Sequence, residues 1–252
     1  MQPSKQDRPV EIVWCIGEVS PLVGSLTASD FSWLSVAEQD LVRKMRFPKR
    51  RGEWLSGRWT AKQLLSRYLP YLANQQLSSV SIESHPDGYP LVWLNGKPLK
   101  GCLSISHRQD KAAAAYTTEK DVLLGIDLEW IEERHPAFLQ DYFTDYEIEW
   151  VQAGTFDKWA ARTTLLWSAK EAALKALQLG LAVDTRMIEV HPHIEGDSLD
   201  WQMLGYSGRL FREGYRLNGW WQRRGDYMIT LAVNLPATAP PAFHLREISL
   251  SD

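Results

Sequence analysis

Val122-Leu123-Leu124-Gly125-Ile126-Asp127-Leu128-Glu129 is an apolar run whose last four residues alternate between aliphatic and acidic. It reads as a β-strand, and the period of two sends Asp127 and Glu129 to one face and Ile126 and Leu128 to the other. Two like charges on one face repel unless water solvates them or a cation bridges them. Hard cations such as Mg²⁺ take carboxylate oxygens together with substrate phosphates. Further along, Trp167-Ser168-Ala169-Lys170-Glu171-Ala172-Ala173-Leu174-Lys175 lies in a helix expected from about Thr163 to Leu179, built of good helix formers and closed by Gly180 at C′. Glu171 and Lys175 share a face with Trp167 one turn earlier. Alone, such a pair decorates an exposed helix. Following the D-x-E strand, Glu171 supplies a third carboxylate for a Mg²⁺ site, with Lys170 and Lys175 flanking a bound phosphate.

Around this segment the chain reads as two halves. Residues 1–119 combine a first strand (Glu11 to Ile16), a Ser/Pro/Gly loop to Ser29, and two helices. Ser35 and Glu38 form a capping box opening Val36 to Met45, and the second helix is expected over Glu53 to Tyr71. Strands follow at Val80 to Glu83, Leu91 to Leu94, Cys102 to Ser106 and Ala112 to Thr117. Residues 120–235 repeat the order of strand, helices and then strands, the last ones at Met187 to Val190, Leu210 to Phe211, Tyr215 to Trp221 and Tyr227 to Val233. A Pro-rich tail, 236–252, is expected to lie over the surface. The architecture is thus α+β: two similar halves, each an antiparallel sheet packed with helices, although no residue-level repeat marks a duplication.

The 252 residues carry a net charge of −3, and 44% are hydrophobic and 23% charged, the mix of a globular protein. No stretch reaches the ~20 apolar residues of a membrane span, and the polar start, Met1 to Pro9, lacks a signal-peptide core, so a cytoplasmic location with no membrane partner is expected. Cys15 and Cys102 lack metal-site spacing and read as buried free thiols. Charge is unevenly spread. Arg43, Lys44, Arg46, Lys49, Arg50, Arg51, Arg58 and Lys62 face only Glu53 between positions 43 and 62, whereas eight acids face only Arg134 between 127 and 149. One region suits phosphates and the other a cation. Ser104-Ile105-Ser106-His107-Arg108 ends a strand with a serine, a histidine and an arginine exposed together. His107 reads as a phosphate donor rather than a serine's base, since no G-x-S-x-G elbow accompanies it.

Taken in order, the basic helix with Arg51-Gly52-Glu53-Trp54-Leu55-Ser56-Gly57-Arg58, Gly88-Tyr89-Pro90, Ser104 to His107, Gly125 to Glu129 and Trp167 to Lys175 resemble the Sfp-type 4′-phosphopantetheinyl transferases. The resemblance spans residues 43 to 180. It implies a pseudo-twofold monomer with coenzyme A in the cleft between its halves, Mg²⁺ (or Mn²⁺) on the pyrophosphate, and an apo acyl or peptidyl carrier protein as partner, with no nucleic acid. Asp127, Glu129 and Glu171 match the family's metal-binding acids, Glu171 also its candidate base, and Lys175 its catalytic lysine. Arg51, Arg58, Gly88, Tyr89, Pro90, Ser106, His107 and Lys170 match positions lining the nucleotide and its phosphates. Tyr89 stands where members often carry Lys or Arg, and Arg108-Gln109 where they often carry Ser-Gly, so Arg108 or the cluster Lys49 to Arg51 is expected to complete the 3′-phosphate contacts. Two other readings use the same residues: a nucleic-acid binder stacking bases on Trp54 and Trp59, and a metal-dependent phosphohydrolase.

Overall fold

The structure, a computed structural model, describes residues 9–18, 31–180, 183–193, 200–211, 215–237 and 242–250. The loop expected up to Ser29 lies outside the described residues from position 19 on. The chain forms two compact units, Met1–Lys120 with Pro240–Asp252, and Asp121–Ala239.

In the first unit β1 (Val10–Glu18) leads to α1 (Val36–Lys44) and α2 (Pro48–Tyr68). Ser35 and Glu38 make the expected capping box. Pro48 opens α2, whose missing N–H costs nothing at a helix start, and Leu69 ends it in the extended conformation that Pro70 demands. The strands β2 (Val80–Ser84), β3 (Pro90–Leu94), β4 (Lys97–Pro98), β5 (Cys102–Arg108) and β6 (Lys111–Thr117) follow. With β1 and a later strand, β12 (Phe243–Glu247), they form two sheets, β12-β1-β6-β5 and β2-β3-β4. Helix α2 packs on β1 and β6 through Ala61, Leu64 and Leu65 against Val13, Cys15 and Ala114. A Cβ at Gly57 would stand 2.9 Å from Ile105 Cγ2, so glycine lets this helix approach β5 closely.

The second unit runs β7 (Leu123–Trp130), α3 (Ala137–Tyr142), α4 (Asp145–Gln152), α5 (Trp159–Ala176), β8 (Ile188–Pro192), β9 (Gln202–Gly208), β10 (Tyr215–Arg224) and β11 (Tyr227–Pro236). Its strands form one sheet in the order β7-β11-β10-β9-β8, with every neighbouring pair antiparallel. Helix α5 is buried nearly all round, from Thr163 to Ala176. That explains why its sequence lacks a polar stripe. It ends one turn earlier than expected. Leu179 N–H bonds to Leu174 O and Gln178 N–H to Lys175 O, a Schellman motif with Gln178, at φ 57°, in the C′ place assigned to Gly180.

The α+β architecture of two similar halves is present. In each unit the opening strand pairs antiparallel with the closing one, β1 with β6 and β7 with β11. The strand before the last comes next, and β2 pairs with β3 as β8 does with β9. Further details differ from expectation: α2 runs from Pro48 to Tyr68 instead of from Glu53 to Tyr71, and β4 was not among the expected strands. The chain turns at Leu210 instead of forming a strand, β9 was not foreseen, and part of the supposed surface tail returns as β12 (Phe243–Glu247), parallel to β1. Its backbone pairs with an edge strand that would otherwise expose unpaired groups. Cys15 and Cys102 are both free, Cys15 buried and Cys102 half-buried. Among the described residues no helix is long and apolar enough to cross a membrane.

Candidate functional site

Gly125, Asp127 and Glu129 share the face of β7 that α5 covers. A Cβ at Gly125 would lie 2.0 Å from Ala172 O and 2.7 Å from Lys175 Cβ, so only glycine permits the helix to sit this low on the strand. That approach brings the two motifs together. Lys175 Nζ donates to Asp127 Oδ1 at 2.8 Å and to Ile126 O at 3.0 Å. Trp167 Nε1 donates to Glu129 Oε1 at 3.2 Å, and Arg134 Nη2 donates to Glu129 Oε2 at 3.2 Å. Beside them Ser168 Oγ and Thr230 Oγ1 are 2.8 Å apart, Thr230 being the residue paired with Asp127 on β11.

Glu171 feels this crowding. Burial, then the charge of Asp127, with Glu129 adding to them and Lys175 and Arg134 opposing, pushes its carboxyl up to about 7. A carboxylate driven toward neutrality by burial and by two neighbouring carboxylates is what a cation would relieve, and oxygen donors suit a hard one. The donor chemistry therefore fits Mg²⁺. As arranged, however, Asp127 leans on Lys175 and Glu129 on Arg134 and Trp167. Among the described residues no three His, Cys, Asp or Glu side chains stand as a ready cation cage.

Two expected phosphate contacts are corrected. Lys170 is fully buried, its ammonium 2.8 Å from Glu147 and bonded to Thr185 O and Ile188 O, which uses all three of its donors. It cannot flank a ligand. Burial pushes the Lys170 ammonium down and the Glu147 carboxyl up, and each partner's charge opposes the shift. Arg58 is also inside, with Nε on Ile82 O and the guanidinium 4.7 Å from the centre of the Trp54 ring; burial lowers its pKa to about 10, against the charge of Glu38. Helical spacing explains it. Leu55, Arg58, Lys62 and Leu65 recur at intervals of three and four and form the inner face of α2. Lys62 bonds Glu38 at 2.6 Å.

The basic surface is consequently Arg43, Lys44, Arg46, Lys49, Arg50 and, half-buried, Arg51. Next to it, Pro48, Lys49, Gly52, Glu53, His107, Arg108, Gln109 and Asp110 line a groove of about 750 Å³. His107 and Arg108 thus come together with the start of α2. Ser106 alternates inward and is buried. Gly88 and Tyr89 belong to the turn between β2 and β3 and Pro90 opens β3; Gly88 has φ 94° and Tyr89 stacks on His85 at 4.2 Å. Arg134 and Trp167 as holders of Glu129 were not foreseen. The lone cation among eight acids was the available signal.

An acid-bearing strand under a helix with Glu171 and Lys175 is the chemical centre of the second, α+β unit. Residues 123–215 match the family model of the 4′-phosphopantetheinyl transferase superfamily, a stretch holding Asp127, Glu129, Glu171 and Lys175. The holo-[acyl-carrier-protein] synthase of Geobacillus sp. (strain WCH70) is 33% identical over 75 residues, which are 29% of this chain and 63% of that protein. The chain therefore spans under two thirds of that relative's length. The crystal structure of Thermotoga maritima holo-[acyl-carrier-protein] synthase aligns at a TM-score of 0.33 and 20% identity, covering 54% of this chain and 75% of that one.

Proposed function

We propose that this protein transfers the 4′-phosphopantetheine group of coenzyme A to a serine hydroxyl of an apo acyl or peptidyl carrier protein, releasing adenosine 3′,5′-bisphosphate, as the Sfp-type enzymes do. The observation that carries the reading is the meeting of Asp127, Glu129, Glu171 and Lys175 under one helix, inside the stretch that matches the superfamily. Asp127, Glu129 and Glu171 would hold Mg²⁺, or Mn²⁺ in its place. When bound, the ion neutralises pyrophosphate charge and so makes the phosphorus accessible to an oxygen nucleophile.

The chain's own groups do the rest. Glu171, in its ionised form, accepts the serine proton directly or through a water as the new P–O bond forms, its raised proton affinity favouring the transfer. Lys175 sits 2.8 Å from Asp127 and places a positive charge where the leaving phosphate gains its negative one. Arg51, His107, Arg108 and the Gly88-Tyr89-Pro90 turn are proposed contacts of the adenosine bisphosphate end, with Lys49 beside them in the groove. The protein acts as a cytoplasmic monomer. Intact-mass measurement of an apo carrier incubated with coenzyme A, Mg²⁺ and the protein tests this. The expected result is a carrier heavier by one phosphopantetheine, absent in excess chelator. Hydrolysis of coenzyme A with an unmodified carrier would instead mark a phosphohydrolase.

A further inference from the structure

Glu129 is held on both sides before any cation arrives. Trp167 Nε1 occupies one oxygen and Arg134 Nη2 the other, each at 3.2 Å, and the Arg134–Glu129 pair is largely shielded, with side-chain exposures of 14% and 13%. The Arg134 grip is nevertheless incomplete. Its Nε is buried without a hydrogen-bond partner, so the guanidinium makes a single hydrogen bond to the carboxylate instead of the two-pronged fork that gives Arg pairs their strength. Its plane lies instead near aromatic rings, 4.6 Å from the centre of Phe138 and 5.9 Å from that of Trp167. On its outer side it borders a groove of about 520 Å³ formed with Pro136, Leu139, Phe156 and Trp159. A guanidinium with one bond to lose, a ring to rest on and open space beside it can let go of its carboxylate at small cost.

We propose that Arg134 is a positioning residue that stands in for the cation: it holds Glu129 oriented toward Asp127 and Glu171, and divalent-ion binding displaces it into the adjoining groove. The inference rests on the proposed metal site. Positive charge at one carboxylate disfavours a second positive charge at the same place, so Arg134 and the divalent ion compete. Arg134→Met, which keeps a flexible side chain against Phe138 and removes the charge, should bind Mn²⁺ roughly tenfold more tightly than wild type. Arg134→Lys should return the affinity toward the wild-type value. Binding is read by electron paramagnetic resonance of free Mn²⁺ on the protein alone, with thermal melts confirming that each variant folds, so the result does not depend on turnover. A wild-type affinity equal to or tighter than that of a folded Arg134→Met would overturn the proposal, because a merely structural arginine does not weaken the ion. If neither protein binds Mn²⁺ and Asp127→Asn changes nothing, the metal site itself is wrong and the proposal falls with it. Should Arg134→Met fail to fold, Arg134→Gln is measured in the same way.

Discussion

The two units carry one scaffold with two different linings. Trp59-Thr60-Ala61-Lys62 on α2 and Trp167-Ser168-Ala169-Lys170 on α5 occupy the same place, each on the helix that covers the unit's opening strand. Each lysine is fully buried against a glutamate that is the N3 residue of a capping box, Glu38 after Ser35 and Glu147 after Thr144. The second oxygen of each glutamate accepts a strand amide, Ile82 N–H or Val190 N–H, and each lysine also reaches the start of a short 3₁₀ turn, Leu77 O or Thr185 O. The linings then diverge. Under α5 stand Gly125, Asp127 and Glu129, facing Glu171 and Lys175. Under α2 stand Val13, Cys15 and Gly17, and the helix offers Gln63 and Arg67. Cys15 takes the place of Asp127: its thiol donates to Thr60 O, and burial pushes it up to about 12. The comparison teaches that the buried Lys–Glu pair belongs to the framework, since both units keep it, and that the strand positions under the helix carry acids in the second unit only.

Breaking the framework should therefore hurt both units alike. Lys62→Met and Lys170→Met each leave a buried carboxylate without its partner, and each is expected to cost about 3–5 kcal/mol of stability in denaturant titrations. Pairing Lys170→Met with Glu147→Leu should recover most of that loss, because an apolar pair leaves no buried charge behind. If Lys62→Met were harmless while Lys170→Met was severe, the equivalence of the two pairs would fail.

A smaller effect sharpens the difference. The Glu171 carboxyl is raised from 4.5 to about 7 in the folded state. Its contribution to stability is fully present below the unfolded value and is lost as pH rises through about 7. Without divalent ions, melting temperature should fall between pH 5 and 8 more steeply in wild type than in Glu171→Gln, and Mg²⁺ should restore it at pH 8. Gln63 cannot titrate, so the first unit adds no matching slope.

How much of this the sequence carried depends on the range of the interaction. The strand alternation of Asp127 and Glu129 and the capping box at Ser35 are local, and both motifs were legible together with the α+β architecture. The direction of Arg58, Lys62 and Lys170 was not. A lysine on a helix looks solvated until its partner is known, and Glu38 and Glu147 lie on other helices that only folding brings near. The internal repeat leaves little mark in the sequence because a four-residue pattern is short, and Lys62 and Lys170 are kept for packing that the sequence does not display. The return of β12 to the first unit was equally hidden, since strand pairing over such a distance in sequence leaves no local mark.

The smallest effect concerns the exposed basic residues that α1 and the start of α2 leave over. Carrier proteins are acidic by the family resemblance, so Lys44→Glu should raise the Michaelis constant for carrier by about two- to fivefold at low salt. The difference should shrink at physiological ionic strength, where charges beyond ~8 Å are screened. A carrier dependence indifferent to both would move docking away from this corner.

The most direct test sets Asp127→Ala beside Cys15→Ala, its counterpart in the first unit, and measures phosphopantetheine transfer to an apo carrier by intact mass alongside thermal melts. The account predicts that Asp127→Ala loses about a thousandfold or more of the transfer rate while the fold persists, because the cation that Asp127 would hold, and the positive charge it would bring to the phosphates, is lost. Cys15→Ala should stay within a few fold of wild type. Undiminished transfer by a folded Asp127→Ala would contradict the assignment of the chemistry to the second unit.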